Sequence, residues 1–376
     1  MKKYLSIMIC LVLLPLFGCG SSPAAAGAPV QSTAGASAQS AVEAPVQNAA
    51  GESAKSAVEA PVQSTAGESA QDMDFTMAIA WTDNPEAYSY KCMNITAGET
   101  GEYYIRLDMV RSYDLTYDDK GMLVDAVDEH GILTPEAAGV VKENTWMNSN
   151  VEELMEDVDC IIFPGGKDIC PTLYCHEQPW HGIEKETEYS AERDVSDYLL
   201  MDYCLDNDIP VLAICRGMQM LAVVSGADMI QDIPAWLTDQ GIQYTDIHRD
   251  PEKKDMIPHP VRVLSKNSLL YEITGQTLLN GCPSWHHQIV GDVTGTGLTV
   301  VAEADTNGIT TIEAVERKDR TFCLGLQFHP EVAVGKIVNN EANAGDFLDY
   351  DTAMSFFRAL IEKAKEYEEE ELKPAA

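Results

Sequence analysis

Basic residues are scarce in this sequence. Lys and Arg total 25 against 60 Asp and Glu, a formal net charge of −35 over 376 residues. Such a surface repels phosphate backbones and anionic lipid headgroups, which excludes a nucleic-acid partner and a protein held to membranes by its own basic patches. A membrane-spanning apolar run is missing too. Tyr4 to Phe17 is apolar but short, and it follows Lys2 and Lys3. Metal-type cysteine spacing is also absent, since Cys170 and Cys175 have no second close pair after them. What is present is ordinary globular material, 45% hydrophobic and 23% charged with 26 Gly and 18 Pro, ample for a sizeable core.

The N-terminal segment reads as targeting. A charged start, the apolar run and Leu16-Phe17-Gly18-Cys19 resemble the signal and lipobox of bacterial lipoproteins, with Cys19 lipidated and residues 1–19 forming the signal. The expected location is outside the cytoplasmic membrane or in the periplasm, with the lipid as the only membrane attachment. Residues 20–71 read as a disordered spacer. The word Ala-Pro-Val-Gln recurs from Ala28, Ala44 and Ala60, a spacing of 16, among Ala, Ser, Gly and Gln. Too little large apolar surface is present there to offset the entropy of ordering. The folded domain is expected over 72–376.

Within that domain, apolar runs alternate with helical patterns. Met77 to Trp81, Cys160 to Phe163 and Val211 to Ile214 read as buried strands. Met122 to His130 is expected to end a helix stopped by Gly131, with short helices over Val151 to Val158 and Met218 to Ser225 and a longer one over Arg193 to Leu205. Leu298 to Glu303, Thr311 to Glu316 and Phe322 to Gln327 read as further strands, followed by a helix from Asp351 to Tyr367. The β-α-β-α order implies an α/β fold, a doubly wound, mainly parallel sheet with helices on both faces and extra C-terminal strands.

One stretch carries chemistry. In Ile209-Pro210-Val211-Leu212-Ala213-Ile214-Cys215-Arg216-Gly217-Met218-Gln219 an apolar strand meets a cysteine and a helix begins at once. This is the strand-turn-helix pattern of a nucleophile elbow, with small Ala213 and Gly217 at ±2. The helix N-terminus favours a thiolate there, although a buried cysteine ending a core strand would give the same pattern. A thiolate needs a base and the base an orienting group. His329 follows a buried strand, and Glu331 lies two residues on. Gly165 and Gly166 follow another strand, where their N–H groups would face a developing oxyanion; the Arg216 N–H is the second donor.

Together, Phe163-Pro164-Gly165-Gly166 with Asp168, the Cys215 segment, Ser284-Trp285-His286-His287-Gln288 and Gly325-Leu326-Gln327-Phe328-His329-Pro330-Glu331 resemble the class I glutamine amidotransferase superfamily. Within it they are most similar to the γ-glutamyl hydrolase branch, including γ-glutamyl-γ-aminobutyrate hydrolases, over about 122–364. The resemblance implies a flavodoxin-like fold, a Cys215-His329-Glu331 triad, oxyanion donors at Gly166 and Arg216, and hydrolysis of γ-glutamyl amides of small peptides or conjugates through a thioester, with neither metal nor organic cofactor. It places His286 beside the substrate, ahead of His287. The Arg216 side chain is open to two readings, a substrate carboxylate or a structural acid; Lys167 reads as a solvated loop lysine, and Arg193 and Asp194 as structural. Segment 82–121 departs from the family, and 332–349 reads as a loop over the site. A glutaminase-type amidotransferase domain and a non-catalytic binding lipoprotein are the alternatives.

Overall fold

A computed structural model describes residues 75–174, 176, 189–245, 248–249 and 255–371. The signal, Cys19, the spacer and Cys175 lie outside the described residues. In chain order the elements are β1 (Met77–Ile79), α1 (Tyr88–Glu99), β2 (Tyr104–Arg106), α2 (Pro135–Asn144), α3 (Val151–Leu154), β3 (Cys160–Phe163), α4 (Ala191–Asp206), β4 (Val211–Ile214), α5 (Arg216–Val224), β5 (Met229–Ile230) and α6 (Ile233–Asp239). Then follow β6 (Ile257–Val263), α7 (Leu269–Thr274), β7 (Leu278–Ser284), β8 (Ile289–Val290), β9 (Leu298–Thr306), β10 (Ile309–Arg317), β11 (Cys323–Leu326), α8 (Pro330–Val338) and α9 (Tyr350–Glu371).

The sheet order is β2-β1-β3-β4-β11-β10-β9-β6-β7. Strands β2, β1, β3, β4 and β11 run parallel, the flavodoxin-like arrangement. The residues of β1, β3, β4 and β11 are buried at every position because both faces are covered, and successive side chains part to opposite sides. Ala78, Ile161, Phe163, Val211 and Ala213 join one core with α2, α4 and α5. Met77, Ile79, Ile162, Leu212 and Ile214 join the other with α1, α8 and α9. Phe356, Phe357 and Leu360 of α9 are fully buried in the second core, each worth roughly 1.5–3 kcal/mol of transfer free energy. Helix α1 closes on α8 because Gly335 has no side chain; a Cβ there would lie 2.4 Å from Cys92 Sγ.

The C-terminal runs expected as strands are β9, β10 and β11; β11 is the last parallel strand, and beyond it β10, β9, β6 and β7 form an antiparallel extension of the sheet. Two expectations need correction. No helix spans Met122 to His130. The apolar spacing there comes from two successive turns built alike. Asp118 Oδ1 accepts the N–H groups of Lys120 and Met122, and Asp128 Oδ1 those of His130 and Ile132. Gly121 and Gly131 supply the positive φ at each, 82° and 78°. Finally, 332–349 is not a loop throughout, since α8 runs to Val338 with Pro330 at its first position. Among the described residues no helix is long and apolar enough to cross a membrane, and no disulfide joins two of the described cysteines.

Candidate active site

Parallel neighbours β4 and β11 end together, with Ile214 in register with Leu326. Their carboxyl ends therefore deliver Cys215 and His329 to one edge of the sheet, where α/β folds commonly bind ligands. Cys215 sits between strand and helix at φ 52° and ψ −105°, a strained conformation for a residue with a side chain. It is held there by its N–H donating to Leu326 O at 2.6 Å. The turn is tight enough that a Cβ at Gly217 would lie 2.4 Å from Phe163 O. Helix α5 starts immediately, so its first N–H groups have no intrahelical acceptor and its positive dipole end faces the sulfur.

His329 is fixed by its N–H donating to Pro283 O at 2.8 Å. Its Nδ1 lies 2.6 Å from Oε1 of Glu331, in the first turn of α8 and fully buried. The Cys215 side chain lies near enough to the imidazole to act on its charge. Burial alone would lower the His329 pKa; the Glu331 carboxylate and the Cys215 sulfur outweigh it and raise it well above the ordinary value. The structure thus brings together all three residues named from the sequence. Gly165 abuts the pair, since a Cβ on it would lie 2.6 Å from His329 Cε1 and 3.5 Å from Cys215 Cβ. Gly166 is adjacent, and it leaves room for the Arg193 guanidinium.

A cavity of about 860 Å³ opens onto these groups, lined among others by Gly165, Gly166, Arg193, Cys215, His286 and His329. His286 is where the sequence places it. His287 lines the cavity as well, held between Asp168 and Asp232 at 3.1 and 3.0 Å. Burial lowers the His287 pKa, but these two carboxylates reverse the effect and bring it to about 9. Lys167 forms an ion pair with Asp83 at the rim, 2.9 Å away.

The Arg216 side chain resolves in favour of a structural acid. Its guanidinium is buried and pairs with Asp194 and Asp197 of α4. Burial would lower its pKa, and the two aspartates outweigh that and keep it charged. Only its backbone N–H remains available to the site. Arg193, read as structural, lines the cavity, as does Arg249; it also donates to Pro164 O at 2.9 Å and pairs with Asp197 at 3.4 Å.

Gln327 has a contact that the sequence reading missed, although the residue stands in a quoted motif. Its Nε2 donates to Cys215 Sγ at 3.5 Å, and its Oε1 accepts from Gln219 Nε2 at 3.3 Å. Lys336 was missed as well. It lines the cavity from α8, bonded to Asp255 and Glu341, both at 3.1 Å. Burial lowers its pKa, but those two partners raise it further. A loop reading of 332–349 gave no signal for a buried lysine.

The chain is similar to several known proteins. A glutamine amidotransferase-like protein of Rickettsia prowazekii is 30% identical over 230 residues, covering 52% of this chain and 78% of its own. The γ-glutamyl-γ-aminobutyrate hydrolase PuuD of Escherichia coli K12 is 30% identical over 192 residues, covering 49% and 68%. Among solved structures, a glutamine amidotransferase from Thermotoga maritima covers 78% of this chain and 99% of its own at 15% identity and a TM-score of 0.43. The peptidase C26 family model matches residues 131–331, more than half of the chain and inclusive of the Cys215, His329 and Glu331 segments. By that match, this chain belongs to the peptidase C26 family, of the class I glutamine amidotransferase-like kind.

Proposed function

We propose that the protein is a cysteine hydrolase of γ-glutamyl amides. The observation that carries this reading is the buried Cys215-His329-Glu331 arrangement at the carboxyl edge of β4 and β11, with Nδ1 of His329 2.6 Å from Glu331. In this reading the Cys215 thiolate attacks the γ-carbonyl carbon. The oxygen takes up the negative charge and is stabilised by the N–H groups of Gly166 and Arg216. His329, protonated, gives its proton to the departing amine as the C–N bond breaks, leaving a thioester on Cys215. Water then attacks the thioester with His329 as base, releasing glutamate and the thiol. Glu331 holds the imidazole in the tautomer this requires and favours its charged form. Arg193, beside Gly166 in the cavity, supplies a cation for the substrate carboxylate.

Support for the γ-glutamyl substrate comes from PuuD, whose name states that activity. Amidotransferase names among the relatives favour a second reading, glutamine hydrolysis that supplies ammonia to a partner. A panel of γ-glutamyl amides with different leaving amines separates the two. The hydrolase reading expects turnover by the purified chain alone and a glutamyl adduct on the Cys215 peptide in quenched samples. Full activity in Cys215→Ala, or glutaminase activity only with a partner, overturns it. Lipid attachment at Cys19 is a separate proposal. Cys19→Ala is expected to move the protein from the membrane to the soluble fraction, and unchanged partitioning overturns it.

A further inference from the structure

Behind the catalytic cavity, the antiparallel extension brings together four buried groups that the proposed reaction does not use. His248 precedes β6, His259 lies on β6, His286 follows β7 and Glu313 lies on β10. The His248 ring stands 4.7 Å from that of His286 and 5.0 Å from that of His259, centroid to centroid. One ring nitrogen from each of His248 and His286 and one Glu313 oxygen all lie within 4.8 Å of one another.

One assignment of protons satisfies every neighbouring contact. In it Thr311 donates to Ala304 O at 3.4 Å, and Thr306 donates across the 2.7 Å contact to Thr311. Thr306 Oγ1 is then the acceptor for His248 Nε2 at 2.7 Å. His248 Nε2 therefore carries the hydrogen and Nδ1 is left bare, 3.6 Å from Glu313 Oε1. His286 Nδ1 faces the carbonyl of Gln288 at 3.1 Å, so it too must carry the hydrogen, which leaves Nε2 bare. His248 Nδ1, His286 Nε2 and both Glu313 oxygens have no hydrogen-bond partner. Three buried lone-pair groups thus converge with no donor among them, an arrangement that is costly for a carboxylate in particular. One proton on Glu313 serves a single contact, whereas a cation serves all of them.

We propose that His248, His286 and Glu313 bind a divalent first-row metal ion of the zinc class. Two imidazoles and a carboxylate form a common three-ligand zinc set with one position left open. Hydrogen bonds to the far side of each ring, from His248 to Thr306 and from His286 to Gln288 O, match the outer support that ligating histidines usually have. Zinc ligands stand about 2.0–2.2 Å from the ion, so loading draws the three groups closer than they lie here. His259, with Nε2 3.7 Å from Glu313 Oε2, flanks the second carboxylate oxygen. Since His286 also lines the catalytic cavity, the ion would fix that wall of it. This inference does not depend on the proposed reaction.

The test is metal binding by the full chain, stripped with chelator and titrated with Zn²⁺, followed by X-ray absorption at the zinc edge. Expected are about one tightly held equivalent and a first shell of nitrogen and oxygen with imidazole scattering. Thr306→Val, which removes the outer hydrogen bond to His248 together with the contact to Thr311, is expected to weaken Zn²⁺ binding about 10–100-fold, and His248→Phe to weaken it more. No retained zinc, a sulfur-containing first shell, or unchanged affinity in a folded His248→Phe overturns the proposal. If His248→Phe does not fold, the wild-type absorption spectrum decides alone.

Discussion

Ile214 and Leu326, 112 positions apart in the chain, are register partners in adjacent parallel strands, and the next residue, Cys215, donates its N–H to Leu326 O at 2.6 Å. The position of the nucleophile relative to its base is therefore set by backbone pairing, with side-chain contacts adding the final adjustment. Loss of Cys215 should accordingly remove chemistry without removing structure. Cys215→Ser is expected to lower kcat/KM by at least about 10³-fold with an unchanged thermal midpoint, measured on the best γ-glutamyl amide of the panel.

Glu331→Gln keeps the shape and removes the charge. A loss of about 10³–10⁴-fold in kcat is expected, by analogy with triads whose orienting acid becomes an amide. The substitution also alters the pH dependence of stability. His329 has a folded pKa above its unfolded one, so its contribution is fully present below the unfolded value and is lost as pH rises through the folded value. In Glu331→Gln the first-named raising influence is gone, so denaturant midpoints should fall less steeply on the alkaline side than in wild type.

Gly165→Ala places a methyl 2.6 Å from His329 Cε1, so the imidazole must move. The expectation is a fall in kcat on the order of 10²-fold with little change in unfolding midpoint. A midpoint drop without loss of kcat would contradict the placement of Gly165 beside the base.

Arg216→Met leaves buried Asp194 without its arginine and Asp197 with Arg193 alone, 3.4 Å away. Breaking a buried pair from one side costs about 3–5 kcal/mol. Urea denaturation should show that loss, and Arg216→Lys should recover only part of it, because one ammonium cannot reproduce the fork.

Asp202 is half-buried and lies near Asp206, and burial followed by that neighbour raises its pKa to about 6. A raised carboxyl pKa means that ionisation costs stability. The cost is absent below the unfolded value of 3.8 and grows as pH rises through about 6. Asp202→Asn is therefore expected to raise Tm at neutral pH by about 1–3 °C, solvent screening included, and to have no effect near pH 3.

Much of the core was legible because fully buried parallel strands leave a dense apolar signature, as in Cys160-Ile161-Ile162-Phe163 and Val211-Leu212-Ala213-Ile214. The Cys215 elbow and His329-Pro330-Glu331 were legible for a related reason, since each directly follows such a strand. Met122 to His130 misled because two short turns stacked in sequence, each closed by its own aspartate, copy helical spacing. Convergence of His248, His286 and Glu313 had no signal at all. They stand on separate segments that meet only once the antiparallel extension has paired, and no local spacing encodes that meeting. The two readings of Arg216 could not be separated locally, because its partners Asp194 and Asp197 stand on α4, which the local motif does not contain.

The insertion of four antiparallel strands ahead of β11 has a consequence for the timing of biosynthesis. A ribosome completes Cys215 long before it reaches His329 and Glu331, and the strand that closes the parallel core is the same one that brings the imidazole. During translation the thiol has no base beside it. On the proposed reading it becomes armed only when the last central strand docks, so completion of the parallel core and pairing of Cys215 with His329 are a single event.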